Sequence, residues 1–353
     1  MKKIYSLILI TLIFFNFSAC SFESKNDSKD DGTFKIAMAP DIAGVNDKSF
    51  SQSAWEGLKE FQEEENATVT YSEAKQPSDF ALILDKFSDK DFDLIWGIGF
   101  SLVDAIYDTA TINLDKNYAI VDYTYKENTP NNVTCVMFRS EESAFLTGYI
   151  AGKTTKTNKL GFIGGMKNYI VNQFDYGFKA GALYAAHELN KNIEFETQYA
   201  DSFTDVAKGK AIAGKMYGDG CDIILHAAGG VGYGAIEYAK DNNKLIIGVD
   251  RDQSDLAPDN ILTSAMKNVG QAVKIVSKRI MNGEKLGGTT LTFGIKDGCV
   301  GIPPAGKILS TEIYNDAIKL SHNITDSIVK FNGKELTIPY DEAGFNKFIQ
   351  DLN

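Results

Sequence analysis

Short apolar runs alternate with amphipathic runs along most of this chain, and this pattern restricts its possible folds more than any other feature. The runs from Phe34 to Ala39 and from Phe92 to Gly97 are almost continuously apolar, as in strands buried on both faces. The stretch from Ser78 to Ser88 instead carries apolar residues at helical spacing. Strand and helix alternate over roughly 270 residues, which predicts parallel, doubly wound α/β sheets.

The alternation runs for about five units and then restarts near Glu141. A chain of 353 residues is also long for one ordinary domain. We therefore predict two similar lobes. Open α/β sheets bind ligands at the carboxyl ends of their strands, and polar or glycine residues close almost every strand there. These residues are Asp41, Gly97, Asp122, Gly164, Gly229 and Asp250. Two such edges that face each other would form a cleft.

The segment between the first strand and the first helix carries side chains suited to a flat polar ligand. Asn46, Asp47 and Phe50 offer an amide, a carboxylate and an aromatic ring where the strand hands over to the helix. Ser49 and Gln52 have the spacing of a capping box. The segment therefore predicts either part of a heterocycle site or a helix cap beside a core aromatic residue.

A glycine-rich turn in the second half of the chain is close to the dinucleotide-binding fingerprint. The run from Gly230 to Ala235 reads G-x-G-x-x-A after a predicted strand, and Asp250 closes the next strand. An NAD-using enzyme is one interpretation. The fingerprint usually opens the first βαβ unit, however, and this one lies late in the chain. The other interpretation is a loop whose backbone N–H groups and carboxylate suit a sugar diol.

Two further features point away from nucleotide hydrolysis and from enzymes in general. The run from Gly148 to Thr154 resembles a P-loop but has three residues between its glycines, where four are needed, and it lies in a helical pattern. No nucleophile motif or acid–base pair stands out in the sequence.

The net charge of −11 argues against a basic surface for nucleic acid. The histidines lie far apart, so we expect no metal site. A protein that only binds its ligand also needs no cofactor, and we expect none.

The amino terminus predicts export and a lipid anchor. Residues 1–19 combine two lysines, an apolar run and terminal small residues, as in a signal peptide. Cys20 follows directly, in the position of a lipoprotein's lipidated cysteine. Residues 20–33 then read as the lipidated cysteine and a polar, flexible tether. We expect a cell-membrane location, lipid-anchored and extracytoplasmic; an ordinary secretory signal is the alternative.

Several motifs resemble those of the basic membrane lipoprotein family, the purine nucleoside receptor-like substrate-binding proteins of ABC transporters. They are Asp41 to Gln52, Gly161 to Gly165, Asp222 to Gly230, Ile247 to Asp250 and Leu262 to Lys267. The resemblance implies the type I periplasmic-binding fold, in which two α/β lobes joined by three crossings close on a ligand. It implies no catalysis. It also implies purine nucleosides (guanosine, inosine, adenosine) and an ABC permease as partners.

The same resemblance implies where the lobes divide. One lobe would contain residues 34–138 plus 266–301, and the other would contain residues 139–265 plus 302–353. The crossings would lie near Arg139, Ala265 and Gly301. Hinge closure between the lobes would then capture the ligand for uptake.

Roles for individual side chains follow from the resemblance as well. Phe50 and Phe174 would sandwich the base, one from each lobe. Asn46, Asp47 and Asp122 would be polar groups near the base and the cleft.

The sugar would be held by a second group of residues, again by resemblance. Asp250 and Lys267 would bind the ribose, and Gly229 or Gly230 would add backbone donors. Two other functions remain open from the sequence: a nucleoside- or NAD-using enzyme, and a surface adhesin or sensor with the same fold.

Overall fold

The computed structural model describes residues 32–352, so the predicted signal peptide, Cys20 and nearly all of the tether lie outside the described part of the chain. The described strands are β1 (Phe34–Pro40), β2 (Ala67–Tyr71), β3 (Leu94–Ile98), β4 (Asn117–Val121), β5 (Val133–Phe138), β6 (Lys159–Gly164), β7 (Glu194–Tyr199), β8 (Ile223–Ala227), β9 (Leu245–Asp250), β10 (Ile261–Lys267), β11 (Thr289–Phe293), β12 (Val300–Gly301), β13 (Ile328–Phe331) and β14 (Lys334–Thr337). The described α-helices are α1 (Phe50–Glu64), α2 (Asp79–Ser88), α3 (Val103–Ile112), α4 (Ser140–Thr154), α5 (Tyr169–Glu188), α6 (Val206–Gly218), α7 (Gly230–Asp241), α8 (Val269–Met281), α9 (Thr311–Ser321) and α10 (Glu342–Leu352).

Two six-stranded sheets with matching strand orders organise the molecule. The first sheet has the order β11-β5-β4-β3-β1-β2, and the second has the order β12-β10-β9-β8-β6-β7. All pairings in the first sheet are parallel, and only the short β12 runs antiparallel in the second. The predicted fold class of two doubly wound, parallel-sheet lobes is therefore confirmed. We call the lobe around the first sheet the first lobe and the other the second lobe.

Each sheet is buried on both faces, which explains why its strands are apolar throughout. Along β1, Ile36 and Met38 belong to the core beneath α1 and α8, whereas Ala37 and Ala39 belong to the core beneath α2 and α3. Successive strand residues point to opposite faces, so a strand between two helical layers needs apolar residues at every position. The second sheet repeats this arrangement with one core beneath α4 and α5 and another beneath α6 and α7.

The glycines of the P-loop-like run pack helices together. A Cβ atom on Gly148 would overlap the backbone of Phe178, and one on Gly152 would crowd Ala182 and Ala185. Helix α4 therefore packs closely on α5, and close backbone approach requires residues without side chains. This packing accounts for the motif without any phosphate.

The carboxyl-terminal part of the chain was the least predictable. The sequence indicated only a strand-like tail and a helix near Thr311 to Leu320, but the chain also forms the β13–β14 hairpin and α10. Buried Phe348 and Leu352 of α10 join the core of the second lobe. Such short elements have too few periodic positions to stand out in a sequence.

The tryptophans and cysteines of residues 32–352 differ in burial. Trp96 is fully buried, and its indole N–H donates to Ser277 Oγ at 3.1 Å. Trp55 is only half-buried and contacts Tyr71 edge-on. Cys135, Cys221 and Cys299 are buried free thiols. Within residues 32–352, no helix has both the length and the apolar character needed to cross a bilayer.

Candidate functional site

A cavity of about 150 Å³ lies between the carboxyl edges of the two sheets, with room for on the order of ten water molecules. Its wall contains seven of the nine predicted ligand-binding residues: Asp47, Phe50, Asp122, Phe174, Gly229, Asp250 and Lys267. The two lobes contribute to it from equivalent places. Asp122 directly follows β4 and Asp250 ends β9, and each strand is fourth from the β2 or β7 edge of its sheet.

The other two predicted residues lie elsewhere. Asn46 is exposed in the loop before α1 and does not line the cavity. Gly230 is also outside the wall, and its backbone N–H donates to Phe203 O at 2.8 Å. Gly229, with φ +53°, is the one of the two glycines that reaches the cavity.

Asp47, rather than Ser49, caps the helix that carries Phe50. The Asp47 carboxylate accepts backbone N–H groups from Ser49 at 2.9 Å, Ser51 at 2.9 Å and Gln52 at 3.0 Å. Ser49 makes no side-chain cap bond, so the predicted capping box is wrong. The carboxylate satisfies three helix-terminal donors at once, which leaves the serine hydroxyl free for another partner.

That other partner lies in the second lobe. Ser49 Oγ donates to Asp250 Oδ2 at 2.5 Å, so the first-lobe loop contacts the end of β9 directly. The sequence-based prediction failed here because spacing along a helix contains no information about groups from another lobe.

A buried ion cluster forms the floor of the cavity. Lys267 Nζ lies 2.6 Å from Asp122 Oδ2 and 4.0 Å from Asp250 Oδ1. These residues are only 3%, 7% and 6% exposed, respectively. Carboxylates in such surroundings need a counter-charge, and the ammonium supplies it from the junction between the lobes.

Both aspartates of this cluster have a left-handed backbone. Asp122 has φ +65° and Asp250 has φ +66°, a region that non-glycine residues seldom adopt. Strained residues of this kind persist where the surrounding structure fixes them, and they concentrate at functional sites.

The two predicted stacking residues enter the cavity from the helix that follows the first strand of each sheet along the chain. Phe50 begins α1 and Phe174 lies in the second turn of α5. The Lys267 ammonium lies 4.4 Å from the centroid of the Phe50 ring and 5.9 Å from that of Phe174. Both ring faces are therefore close to the ion cluster, and cation–π attraction adds to its stability.

The wall also contains Asp41, Phe100 and Phe203, none of which was predicted as a ligand-binding residue. Asp41 closes β1, and its Oδ1 accepts from Ala43 N at 3.0 Å and from Ser51 Oγ at 3.1 Å. Phe100 and Phe203 meet edge-on across the cleft with ring centroids 6.3 Å apart. Asp41 and Phe100 could have been predicted from the sequence, because each lies just after a strand. Phe203 could not, because it lies in a loop with no recognisable pattern.

Burial makes three carboxyl groups of the wall, those of Asp41, Asp47 and Asp250, harder to ionise. Burial, reinforced by the charge of Asp47, raises the pKa of Asp41 to about 7. Burial raises the pKa of Asp250 to about 6, although Lys267 and the Ser49 hydroxyl oppose the change. Burial also raises the pKa of Asp47. Near neutral pH the wall can therefore both accept and donate hydrogen bonds through carboxyl groups.

The fingerprint-like glycines of α7 serve packing. A Cβ on Gly232 would overlap the ring of His226, and one on Gly234 would overlap the backbone of Val206. These contacts hold α7 against β8 and α6, which accounts for the two glycines without a pyrophosphate.

Comparisons with known proteins agree with this geometry. Residues 34–335 match the family described as Bmp, ABC transporter substrate-binding protein PnrA-like. Basic membrane protein A of Borreliella burgdorferi is 39% identical over 356 residues, which cover 100% of both chains. The ABC transporter nucleoside-binding protein BmpA of Lactococcus lactis subsp. cremoris is 37% identical, over 85% of this chain and 89% of that protein.

A solved structure shares the fold. An ABC transporter solute-binding protein from Aeropyrum pernix superposes with a TM-score of 0.77 over 90% of this chain and 97% of its own, at 24% identity. This likeness confirms the predicted periplasmic-binding type of fold. The family is one of binding proteins rather than enzymes, in agreement with the prediction of no catalysis. The chain belongs to the Bmp family of PnrA-like substrate-binding proteins of ABC transporters.

Proposed function

We propose that this substrate-binding protein captures a purine nucleoside between its lobes and delivers it to an ABC permease. The observation that carries the proposal is one cavity that combines aromatic rings from both lobes with a buried carboxylate–ammonium pair. The nucleoside-binding relative from Lactococcus supports the ligand class.

The base would lie between Phe50 and Phe174. Stacking of a base on an aromatic side chain contributes roughly 1–3 kcal/mol and tolerates any flat heterocycle. Asp41 and Asp47 would face its polar edge. A carboxyl group with a pKa of about 7, as in Asp41, can accept from a ring N–H or donate to a ring nitrogen.

The ribose would lie over the ion cluster. A carboxylate accepts hydrogen bonds from two vicinal hydroxyls at once, which suits Asp250 to the 2′,3′-diol. Lys267 would donate to a sugar oxygen while it remains paired with Asp122. We therefore expect ribonucleosides to bind more tightly than 2′-deoxyribonucleosides.

The charge of the wall favours nucleosides over nucleotides. Four aspartates and one lysine are the charged residues that line the cavity within residues 32–352: Asp41, Asp47, Asp122, Asp250 and Lys267. The single ammonium already contacts a carboxylate at 2.6 Å. A phosphate would therefore be desolvated without a free cation to pair with it, which is unfavourable.

The lobe boundaries belong to the same proposal. We propose residues 34–138 plus 266–301 for one lobe and 139–265 plus 302–353 for the other, joined near Arg139, Ala265 and Gly301. Sheet membership changes after β5, after β10 and between β11 and β12, which supports three crossings. Met266, Lys267, Val300 and Gly301 pair within the second sheet, so two of these changes fall a few residues from the proposed bounds. Rotation about these three segments would open the cleft.

Direct identification of the ligand tests the function. Protein purified without denaturation should release a purine nucleoside that mass spectrometry identifies, and calorimetry should then give micromolar or tighter binding of guanosine, inosine or adenosine. A co-purified sugar or amino acid, together with no heat from any nucleoside, would contradict the proposal.

Phe174→Leu tests the stacking role. Leucine fills much of the buried volume but has no ring face, so guanosine should bind about 5- to 150-fold more weakly by calorimetry. Phe162→Leu is a matched control, because Phe162 is equally buried in the same lobe and does not line the cavity. Equal affinities in the two variants would remove Phe174 from the site.

The lipid anchor is the last element of the proposal and rests on the sequence of the amino terminus. Cys20→Ser removes the thiol that would carry the lipid, so the full-length protein should move from the membrane fraction to the soluble exported fraction. Fractionation of cells and detection by antibody measure this. Cys135→Ser is the control and should stay with membranes, because Cys135 is a buried thiol of the first lobe. Membrane retention of the Cys20 variant would refute the anchor.

A further inference from the structure

Outside the cavity, one backbone carbonyl of the first lobe accepts hydrogen bonds from two side chains of the second lobe. Lys48 lies in the loop before α1, in the first lobe, and its carbonyl oxygen accepts two hydrogen bonds from the second lobe. Gln253 Nε2 donates at 2.9 Å and Arg251 Nε donates at 3.1 Å. Lys48 has φ +61°, a left-handed conformation that lysine seldom adopts. Neither Lys48, Arg251 nor Gln253 lines the cavity.

Gln253 is fixed in place by its own lobe. Its Oε1 accepts from Val249 N at 2.9 Å and lies 3.1 Å from His226 Nε2, and its backbone N–H donates to Ser264 Oγ at 3.2 Å. The side chain is 1% exposed. A backbone N–H can only donate, so the amide oxygen must face Val249 and the amide nitrogen must face Lys48.

The histidine in this network supports the same orientation. Burial lowers the pKa of His226 to about 4, so the ring is neutral at physiological pH. Its Nε2 therefore carries the hydrogen that faces Gln253 Oε1. Gln253 Oε1 thus accepts from His226 Nε2 and from Val249 N, and because all three residues belong to the second lobe, these contacts do not depend on closure of the cleft.

A donor that is fixed before closure has a thermodynamic advantage. The side chain loses no further rotamer freedom when Lys48 arrives, so more of the hydrogen-bond energy favours the closed state. A typical hydrogen bond contributes about 0.5–1.5 kcal/mol, which corresponds to about a 2- to 10-fold shift toward the closed lobes.

We propose that Gln253 is a positioning residue for ligand capture: it holds the lobes closed through the Lys48 carbonyl without contacting the ligand, and Arg251 assists it. The inference rests on the proposed function, because it assigns the release rate of that ligand to this contact. The contact does not involve the ligand, so its loss should weaken every ligand by the same factor. The loss should speed dissociation rather than slow association.

Gln253→Met removes this donor at nearly constant volume, together with the acceptor for Val249 N and His226 Nε2. Arg251→Ala removes the second donor from a more accessible side chain and leaves those contacts in place. In stopped-flow experiments, guanosine should dissociate about 2- to 10-fold faster from each variant, with association unchanged within about twofold. Guanine should lose affinity by the same factor as guanosine. Gln62→Met is the matched control, because Gln62 accepts from Val69 N at 2.9 Å within the first lobe alone.

The outcomes separate this inference from the function on which it rests. Unchanged dissociation from both variants, or weakening of guanosine without weakening of guanine, would overturn the positioning role. Urea unfolding shows whether the buried Gln253→Met variant is folded. If that variant does not fold, Arg251→Ala tests the same contact. If the wild type bound no nucleoside, the proposed function would fail. Small-angle scattering of the ligand-free proteins would then test the contact between the lobes on its own. We expect larger radii of gyration for the variants than for the wild type, and equal radii would overturn the positioning role of Gln253.

Discussion

Asp250→Asn should weaken guanosine binding about 30- to 150-fold and leave the affinity for free guanine nearly unchanged. The substitution exchanges two charge-assisted hydrogen bonds for two neutral ones, a loss of about 2–3 kcal/mol. Asparagine keeps the size of the side chain and tolerates the left-handed backbone that Asp250 adopts at φ +66°. Calorimetry with guanosine, 2′-deoxyguanosine and guanine separates the diol from the base.

The pH dependence gives a second measurement on the same variant. Burial raises the pKa of Asp250 to about 6, so wild-type affinity for guanosine should fall as the pH drops through about 6 and the carboxylate is protonated. This acidic loss should be smaller in Asp250→Asn, which has no carboxylate at that position. The charge of Asp250 helps to raise the pKa of Asp41 to about 7, so the titration of Asp41 should move to lower pH in the variant.

The same pKa predicts the effect of Asp250→Asn on stability. The folded-state pKa lies above the ordinary value of 3.8, so the contribution of this carboxyl to stability is complete below about pH 3.8 and is lost as the pH rises through about 6. At pH 8 the variant should therefore be at least as stable as the wild type in urea. Asp201→Asn is the control, an exposed aspartate with φ +51° outside the cavity. Equal weakening of guanosine and guanine by Asp250→Asn would contradict its role with the ribose.

Lys267→Met should destabilise the protein by about 3–5 kcal/mol, because it removes the ammonium that pairs with two buried carboxylates. Methionine occupies a similar volume, so the loss reports charge rather than a cavity. Nucleoside binding should be lost as well, since Asp122 and Asp250 would repel each other across the floor of the site. Urea unfolding at pH 8 measures the change.

Two controls separate this effect from a general effect of losing a lysine. Lys215→Met removes a side chain that is 60% exposed and paired with Glu196 and Asp219, and it should leave the stability nearly unchanged because solvent screens such pairs. The double variant Lys267→Met/Asp122→Asn should recover part of the lost stability, because it also removes the negative charge of Asp122, which the single substitution leaves unpaired. No recovery would show that Lys267 acts through packing rather than through this ion pair.

Much of the architecture could be predicted from local patterns. Strands that are almost continuously apolar, such as β3 and β8, are stable between two helical layers, so the sequence alone predicts a parallel sheet covered on both faces. Asp122 and Asp250 stand at the ends of such strands, so the sequence alone placed them at the edge of a sheet where ligands bind. The hairpin at β13–β14 and helix α10 were missed because they are short.

Details of the site could not be predicted, because they depend on groups far apart in the sequence. Ser49 has the spacing of a capping residue, but its hydroxyl contacts Asp250, which is 201 positions away. Gly230 has the spacing of a ligand-binding glycine, but its N–H contacts Phe203. Each local pattern identified a group able to form hydrogen bonds and could not identify its partner.

By itself, the sequence determined which residues form strands and helices and which polar groups stand at strand ends, because those properties follow from side-chain periodicity over a few residues. Only the tertiary structure decided that Asp122, Asp250 and Lys267 share one buried ion cluster and that Gln253 reaches the Lys48 carbonyl of the other lobe. The physical reason is that burial and charge pairing depend on which segments meet in space, and two lobes bring together segments that no local spacing relates.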